Sequence, residues 1–444
     1  READPDDFHA LPTDAPLLDA KISSDGSTLA FVAGDEVYVA PVVPEDSGGQ
    51  SRPRRVTSGA RGKSGITNGV ADYLAQEELE RADGFWLSPA GTRVAFEEVD
   101  ESHVPPYRIV HQGEDRGLAP TFEEGKGQAE VEEGAKVTLE ETRYPFAGAR
   151  NPIVKFGVVD ATEGGEGGNV TWFDLSRQFG DDFYLAKVEW LPAAVGSSED
   201  STRLVVQVLD RRQQKLAILL LDCATGDMTT LHVETAIEGA WVNLNDAFRV
   251  LSNPNSEKFR FLWASERDGY RHLYVLEASL ADGGSANTNG AKVIQRLTGP
   301  GEFICEEVLD VDEESGVIYY MGTEPNRWLE RHLFRVQLGD LGTNKVTPPE
   351  CLTGSVSGQH SCVLDLRSGL VFDVVSSTTQ APVASIHELP AIGEAAGTSE
   401  IRQLYDAAVD PRLVTRTLSL PNATFEEWCA LPEGAAADIV RSFA

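Results

Sequence analysis

KISSDGSTLAFVAGDEVYVA, Lys21–Ala40, sets the pattern that the rest of the chain repeats. A short apolar run meets a tight turn of Ser, Asp and Gly, a second run ends in aliphatic and aromatic residues, and a third follows a polar gap. Runs of this length and composition, bounded by turn residues, are strands. The same order returns at Phe85–Phe96 (FWLSPAGTRVAF), in Val188–Leu231, at Phe259–Ser279 (FRFLWASERDGYRHLYVLEAS), in Val308–Leu338 and at Cys362–Ser376 (CVLDLRSGLVFDVVS). Two successive copies share a tetrapeptide type, Arg271-His272-Leu273-Tyr274 and Arg331-His332-Leu333-Phe334.

Short-stranded self-similarity at irregular intervals of about 45–100 residues is the mark of propeller blades with insertions. Each blade is a twisted four-stranded sheet that must bury both faces against its neighbours. That explains runs such as Leu216–Leu221, where polar–apolar alternation is lost. The pattern therefore predicts an all-β chain, a β-propeller of four-stranded blades. His272 and His332 recur at one blade position, which points to capping of a strand start rather than catalysis.

The chain has 444 residues, long for one average domain but within the range of a propeller. Apolar content of 41% with 18 Phe and 7 Trp can fill a large core. A net charge of −33 repels phosphate backbones and argues against nucleic acid as a partner; it can draw in cationic ligands, but most of these charges are expected to serve solubility. The five cysteines, Cys223, Cys305, Cys351, Cys362 and Cys429, show no metal-type spacing. No apolar run approaches bilayer length and no leader peptide is visible; the compartment stays open, leaning to cytosolic.

One stretch breaks the strand pattern: GVADYLAQEELERADGFWLSP, Gly69–Pro89. Ala75–Arg81 are mostly good helix formers, which predicts a short helix between strands, with Glu77 and Glu78 side by side on it. A strand would send these two carboxylates to opposite faces, whereas a short helix lets both reach one cavity. The plainer alternative is a solvated Glu77–Arg81 pair at four-residue spacing, worth about 0.3–0.5 kcal/mol.

Ala71–Leu79, Gly84–Tyr107 (GFWLSPAGTRVAFEEVDESHVPPY) and Arg143–Phe156 (RYPFAGARNPIVKF) together resemble the dipeptidyl peptidase IV family of the prolyl oligopeptidase superfamily. The resemblance implies an eight-bladed propeller whose short helix carries two adjacent glutamates that grip a substrate's free amino terminus. Matched residue by residue, these are Glu77 and Glu78, with Gln76 where some members carry a third glutamate. It further implies a serine exopeptidase that releases amino-terminal dipeptides after Pro or Ala, no cofactor, a hydrolase domain of the same polypeptide as partner, and homodimers. A non-catalytic propeller scaffold is the alternative.

On this reading residues 1–405 are propeller, begun inside the ring and holding six or seven blades. Residues 406–444 lead toward an α/β-hydrolase domain absent from this chain. Residues 1–15 are a lead-in. Glu114–Glu141, Thr162–Asn169, Gly196–Thr202, Ala281–Ala291 and Ala391–Ser399 are expected as solvated insertions. The Asp312-Glu313-Glu314 cluster is expected on an exposed blade turn.

The sequence contains no G-x-S-x-G, H-E-x-x-H or phosphate-cradling glycine motif, so the chain alone is expected to bind rather than cut. Carboxylate pairs also serve glycosidases, but two neighbours on one short helix are poorly placed to flank a scissile bond.

Overall fold

The computed structural model describes residues 15–42, 52–111, 138–162, 167–192, 200–251, 258–280, 290–299, 304–339, 341, 348–393, 397 and 399–406. Residues 1–230 and 231–444 form two compact units. Among the described residues nearly all regular structure is strand.

In the first unit, β1 (Leu18–Ile22), β2 (Thr28–Ala33), β3 (Glu36–Pro41) and β4 (Arg54–Arg55) form one antiparallel sheet in sequence order. Next come β5 (Ile66–Asn68), the helix α1 (Tyr73–Glu78), β6 (Phe85–Leu87) and β7 (Arg93–Asp100). A hairpin of β8 (Pro106–His111) and β9 (Thr138–Arg143) leads to β10 (Ile153–Asp160) and β11 (Val170–Phe173). The second sheet runs β11-β10-β7-β5, with β6 also paired to β7. After α2 (Ser176–Phe179), the third sheet comprises β12 (Phe183–Trp190), β13 (Arg203–Asp210), β14 (Lys215–Asp222) and β15 (Asp227–Thr235), which carries the chain into the second unit.

There, β16 (Arg249–Val250), β17 (Lys258–Ser265), β18 (His272–Ser279) and β19 (Lys292–Arg296) form the fourth sheet. The fifth holds β20 (Ile304–Asp312), β21 (Val317–Thr323), β22 (His332–Gln337) and β23 (Glu350–Cys351). The sixth holds β24 (Gln359–Asp365), β25 (Leu370–Ser376), β26 (Val383–Glu388) and β27 (Ser399–Asp406). These are meanders in which each described strand hydrogen-bonds to the next, the blade unit expected from the six repeated patterns.

Why alternation fails is visible on β21. Ile318 and Tyr320 enter a cluster with Leu262, Leu273 and Val275 of the fourth sheet. Val317, Tyr319 and Met321, on the opposite face, pack with Cys362 and Val371 of the sixth. In the first unit, Leu204, Val206 and Leu219 meet Phe156 and Val158, while Phe85, Val94 and Phe96 meet Val32, Val37 and Val39. Two buried faces per sheet demand apolar residues at both parities.

The repeated histidines are structural. His272 and His332 open β18 and β22, fully enclosed, and each ring Nδ1 sits 3.1 Å from a threonine Oγ1, Thr298 and Thr353 respectively. The same hydroxyls accept the next backbone N–H, from Leu273 and Leu333, both at 3.0 Å. The Arg-His-Leu repeat therefore clasps a strand start to the Leu-Thr-Gly segment that follows it.

Burial holds the His332 pKa below its ordinary value, against the pull of Glu330 and with Arg327 and His360 adding to the depression. The His360 ring from β24 lies 5.0 Å away, tilted by 37°, and Glu330 accepts at 2.8 Å. A histidine whose pKa is depressed on folding binds fewer protons in the native state. Its stabilising contribution is complete above about pH 6.5 and is lost as pH falls. His332→Gln is accordingly expected to flatten the fall in melting temperature between about pH 7.5 and 5.5; an unaltered slope would count against the clasp as an acid-sensitive element.

Three expectations are revised. Glu114–Glu141 does not end as loop, because residues 138–141 pair with β8 in β9; residues 112–137 lie outside the described residues. Within Gly196–Thr202, Asp200 is a clamp rather than solvated chain. It accepts from Ser88 Oγ at 2.5 Å, Thr92 Oγ1 at 2.7 Å and Ala90 N at 3.0 Å, tying the β6–β7 turn to the third sheet. The predicted extent of the helix is corrected below. Asp312 does sit at an exposed turn, accepting from Ser315 Oγ at 2.5 Å. Residues 1–14, 163–166, 281–289, 394–396, 398 and 407–444 lie outside the described residues, and with them parts of the other three insertions. No helix among the described residues is long and apolar enough to cross a membrane.

Candidate functional site

The strand beside β7 is interrupted, and the interruption is the site. β5 pairs with the Glu98–Asp100 end of β7 and β6 with the Val94–Phe96 end. Between them the chain leaves the sheet as a loop that contains α1. Glu97 of β7 sits under the neck of this loop. Its carbonyl accepts Gly69 N at 2.9 Å and its N–H donates to Gly84 O at 3.0 Å. A bridge between Val70 and Asp83 pinches the neck shut.

Gly69 and Gly84 are required here. Gly69 has φ +78°, and a Cβ on it would meet Val37 at 2.5 Å. A Cβ on Gly84 would stand 2.3 Å from the backbone of Gly69 and Val70, which cannot yield.

Asp72 starts the helix: its Oδ1 accepts Leu74 N at 2.8 Å and Ala75 N at 3.2 Å, a cap worth about 1 kcal/mol. Burial raises the Asp72 pKa, opposed by those N–H donors and by Arg81. The helix ends after Glu78, with Leu79 N and Arg81 N both donating to Ala75 O. Glu80 follows at φ 53°, in the left-handed region, and turns the chain inward. The helix is thus Tyr73–Glu78 and not Ala75–Arg81; the cap at Asp72 moved its start, and Glu80 stopped it short of Arg81.

Glu77 and Glu78 are the last two helical residues, and both are exposed. Consecutive helix positions are about 100° apart, close enough for two long side chains to converge on one small cation. Among the described residues neither carboxylate has a hydrogen-bond or ion-pair partner. Gln76, also exposed, donates its Nε2 to Ala71 O at 2.7 Å and so braces the helix.

Arg81 does not pair with Glu77. It is buried, and its guanidinium donates to both Glu97 oxygens, at 2.7 and 3.0 Å. It also donates to Leu185 O on β12 at 3.0 Å and to Asp83 O. Burial pushes the Glu97 carboxyl up to about 7, against the charge and hydrogen bonds of Arg81. Half-buried Glu101, at the end of β7, also rises to about 7; burial is the main cause and the Asp72 charge adds to it, while Arg143 opposes.

This Arg81–Glu97 strut was readable in principle. Glu97 shares the inward row of Ala95 and Val99, and a carboxylate there needs a cation.

Aromatic rings flank the helix. Tyr73 meets Tyr144 edge-on at 5.1 Å, Tyr144 meets Phe146 at 5.4 Å and Phe146 meets Tyr107 at 6.0 Å. A cavity of about 760 Å³ elsewhere in this unit is lined by Trp172, Phe179 and Asp182, and by neither glutamate.

The family model for the dipeptidyl peptidase IV (DPP IV) N-terminal region matches residues 2–382. The chain belongs to this family. Dipeptidyl peptidase 8 of Homo sapiens is 23% identical over 427 residues, which covers 84% of this chain and 43% of that protein. A probable dipeptidyl peptidase 4 of Aspergillus flavus is 23% identical over 425 residues, covering 95% and 47%. The crystal structure of Porphyromonas gingivalis dipeptidyl peptidase 4 superimposes with a TM-score of 0.63 at 18% identity, over 88% of this chain and 46% of that one. The six sheets are thus blades of the dipeptidyl peptidase IV propeller fold. The chain spans less than half the length of these curated relatives.

Proposed function

We propose that this chain is the propeller of a serine-type dipeptidyl peptidase, and that Glu77 and Glu78 hold the ammonium group of a peptide substrate. The observation that carries the reading is the pair itself: two exposed carboxylates with no partner among the described residues, on a helix lifted out of the sheet, in a dipeptidyl peptidase IV N-terminal-type chain.

A peptide α-amino group, with a reference pKa of about 7.7–8.0, is mostly a three-donor cation at neutral pH. Charge-assisted hydrogen bonds to it are worth roughly 1.5–3 kcal/mol each. Holding the amino terminus also fixes which peptide bond is presented for attack, so the pair acts as a ruler for dipeptide release. In this reading a hydrolase domain of the same polypeptide supplies the serine, histidine and aspartate, cleavage follows Pro or Ala, and two copies associate.

Acetylating the amino terminus of a dipeptide–chromophore substrate removes the cation and leaves the carboxylates unpaired. With the full-length protein this is expected to lower kcat/KM at least ~10-fold. Equal rates on blocked and free substrates would overturn the reading.

A further inference from the structure

We propose that Arg81 is the positioning residue of the glutamate pair, a role that rests on the ammonium reading above. Between Gly69 and Gly84 the sequence carries five acidic residues, Asp72, Glu77, Glu78, Glu80 and Asp83, and a single Lys or Arg, which is Arg81. Left in solvent at a four-residue spacing from Glu77, that cation would compete with any incoming ammonium. The fold withdraws it instead: Arg81 is 7% exposed and its fork closes on Glu97.

Withdrawal does a second thing. Arg81 follows the helix by three residues, and its guanidinium reaches three separate anchors. Glu97 belongs to β7 under the loop's neck, Asp83 O to the returning limb, and Leu185 O to β12 of the next sheet. The Trp86 ring backs it at 5.6 Å. The neck is held by backbone hydrogen bonds to Glu97 and by the Lys21–Asp83 ion pair at 2.6 Å, and Arg81 is the attachment closest to the glutamates in the chain. Of the helix itself only Ala75 is buried, so packing alone holds it weakly.

Lysine cannot replace this residue. Its ammonium is a point charge without the planar fork that serves two carboxylate oxygens and two carbonyls together. Arg81→Lys keeps the charge and loses the geometry, which makes it the informative variant.

The experiment is steady-state kinetics of the full-length protein on two substrates, a dipeptide–chromophore with a free amino terminus and its des-amino analogue. Arg81→Lys is expected to lower kcat/KM on the free substrate by about 10–100-fold, the scale of an ångström-size misplacement, and to leave the des-amino analogue unchanged. Glu97→Gln, which weakens the fork and keeps the volume, is expected to act the same way to a smaller extent and provides the readout if Arg81→Lys fails to fold. An equal fall on both substrates would mean that Arg81 only stabilises the fold, and no fall on either would mean that the helix holds itself; each overturns the proposal. If Glu77→Ala/Glu78→Ala leaves the discrimination between the two substrates intact, the ammonium reading fails first, whatever Arg81 does.

Discussion

Replacing Glu77 and Glu78 together by alanine is expected to lower kcat/KM of the full-length protein on free dipeptide substrates by about 10²–10⁴-fold. Two charge-assisted hydrogen bonds at roughly 1.5–3 kcal/mol each set that range. Both side chains are exposed and end a helix whose cap, neck and strut lie elsewhere, at Asp72, Gly84 and Arg81. The melting temperature should therefore hold within a degree or two of the parent. Single replacements should each lose part of the effect, and the discrimination against acetylated substrates should vanish in the double variant. A double variant with parental kinetics would remove the pair from any role in substrate recognition.

The largest effect on stability is expected from Glu234→Ala. Glu234, on β15, is the acceptor for a buried group of donors in the second unit. Trp263 Nε1 donates to it at 3.0 Å, Ser265 Oγ at 2.7 Å and Arg267 Nη2 at 2.7 Å, and His232 Nε2 stands 3.2 Å away. Burial alone would raise its pKa; the His232, Arg267 and Ser265 partners outweigh that and bring it to about 2. An acid depressed on folding stabilises fully above its unfolded value of about 4.5, and the contribution is lost as pH falls through 2.

Truncating this side chain strands a buried indole N–H and hydroxyl at once and takes the carboxylate from the Arg267 guanidinium. Removing one member of a buried charged network costs about 3–5 kcal/mol. Urea denaturation near neutral pH measures it, with Glu234→Gln as the milder control because a carboxamide oxygen still accepts. A loss under ~1 kcal/mol in the alanine variant would show that the donors find other partners.

Much of the fold was legible because two-sided burial leaves a plain trace. Leu216–Leu221 and Val317–Met321 are apolar at both parities, and only sheets packed on both faces call for that. The six quoted repeats correspond to the six larger sheets. Less could be read where a polar residue has a distant partner. Arg81 looked like the neighbour of Glu77 because spacing along a helix is local information, while its partner Glu97 is sixteen positions on and reached through the sheet. Asp200 looked like solvated loop for the same reason, since Ser88 and Thr92 are more than a hundred residues away. The adjacent glutamates could be found in the sequence, but the helix cap could not be weighed until Asp72 was seen to be buried.

Where Gly84 rides on the backbone of Gly69, the crossing has no slack. A methyl group added there must push the acidic helix off its seat, although it adds no charge and touches no ligand. Damage at this glycine would thus mimic damage at the glutamates themselves. A tolerance map of the chain would show the two kinds of position as equally severe, and only the glycine variants would also lose heat resistance.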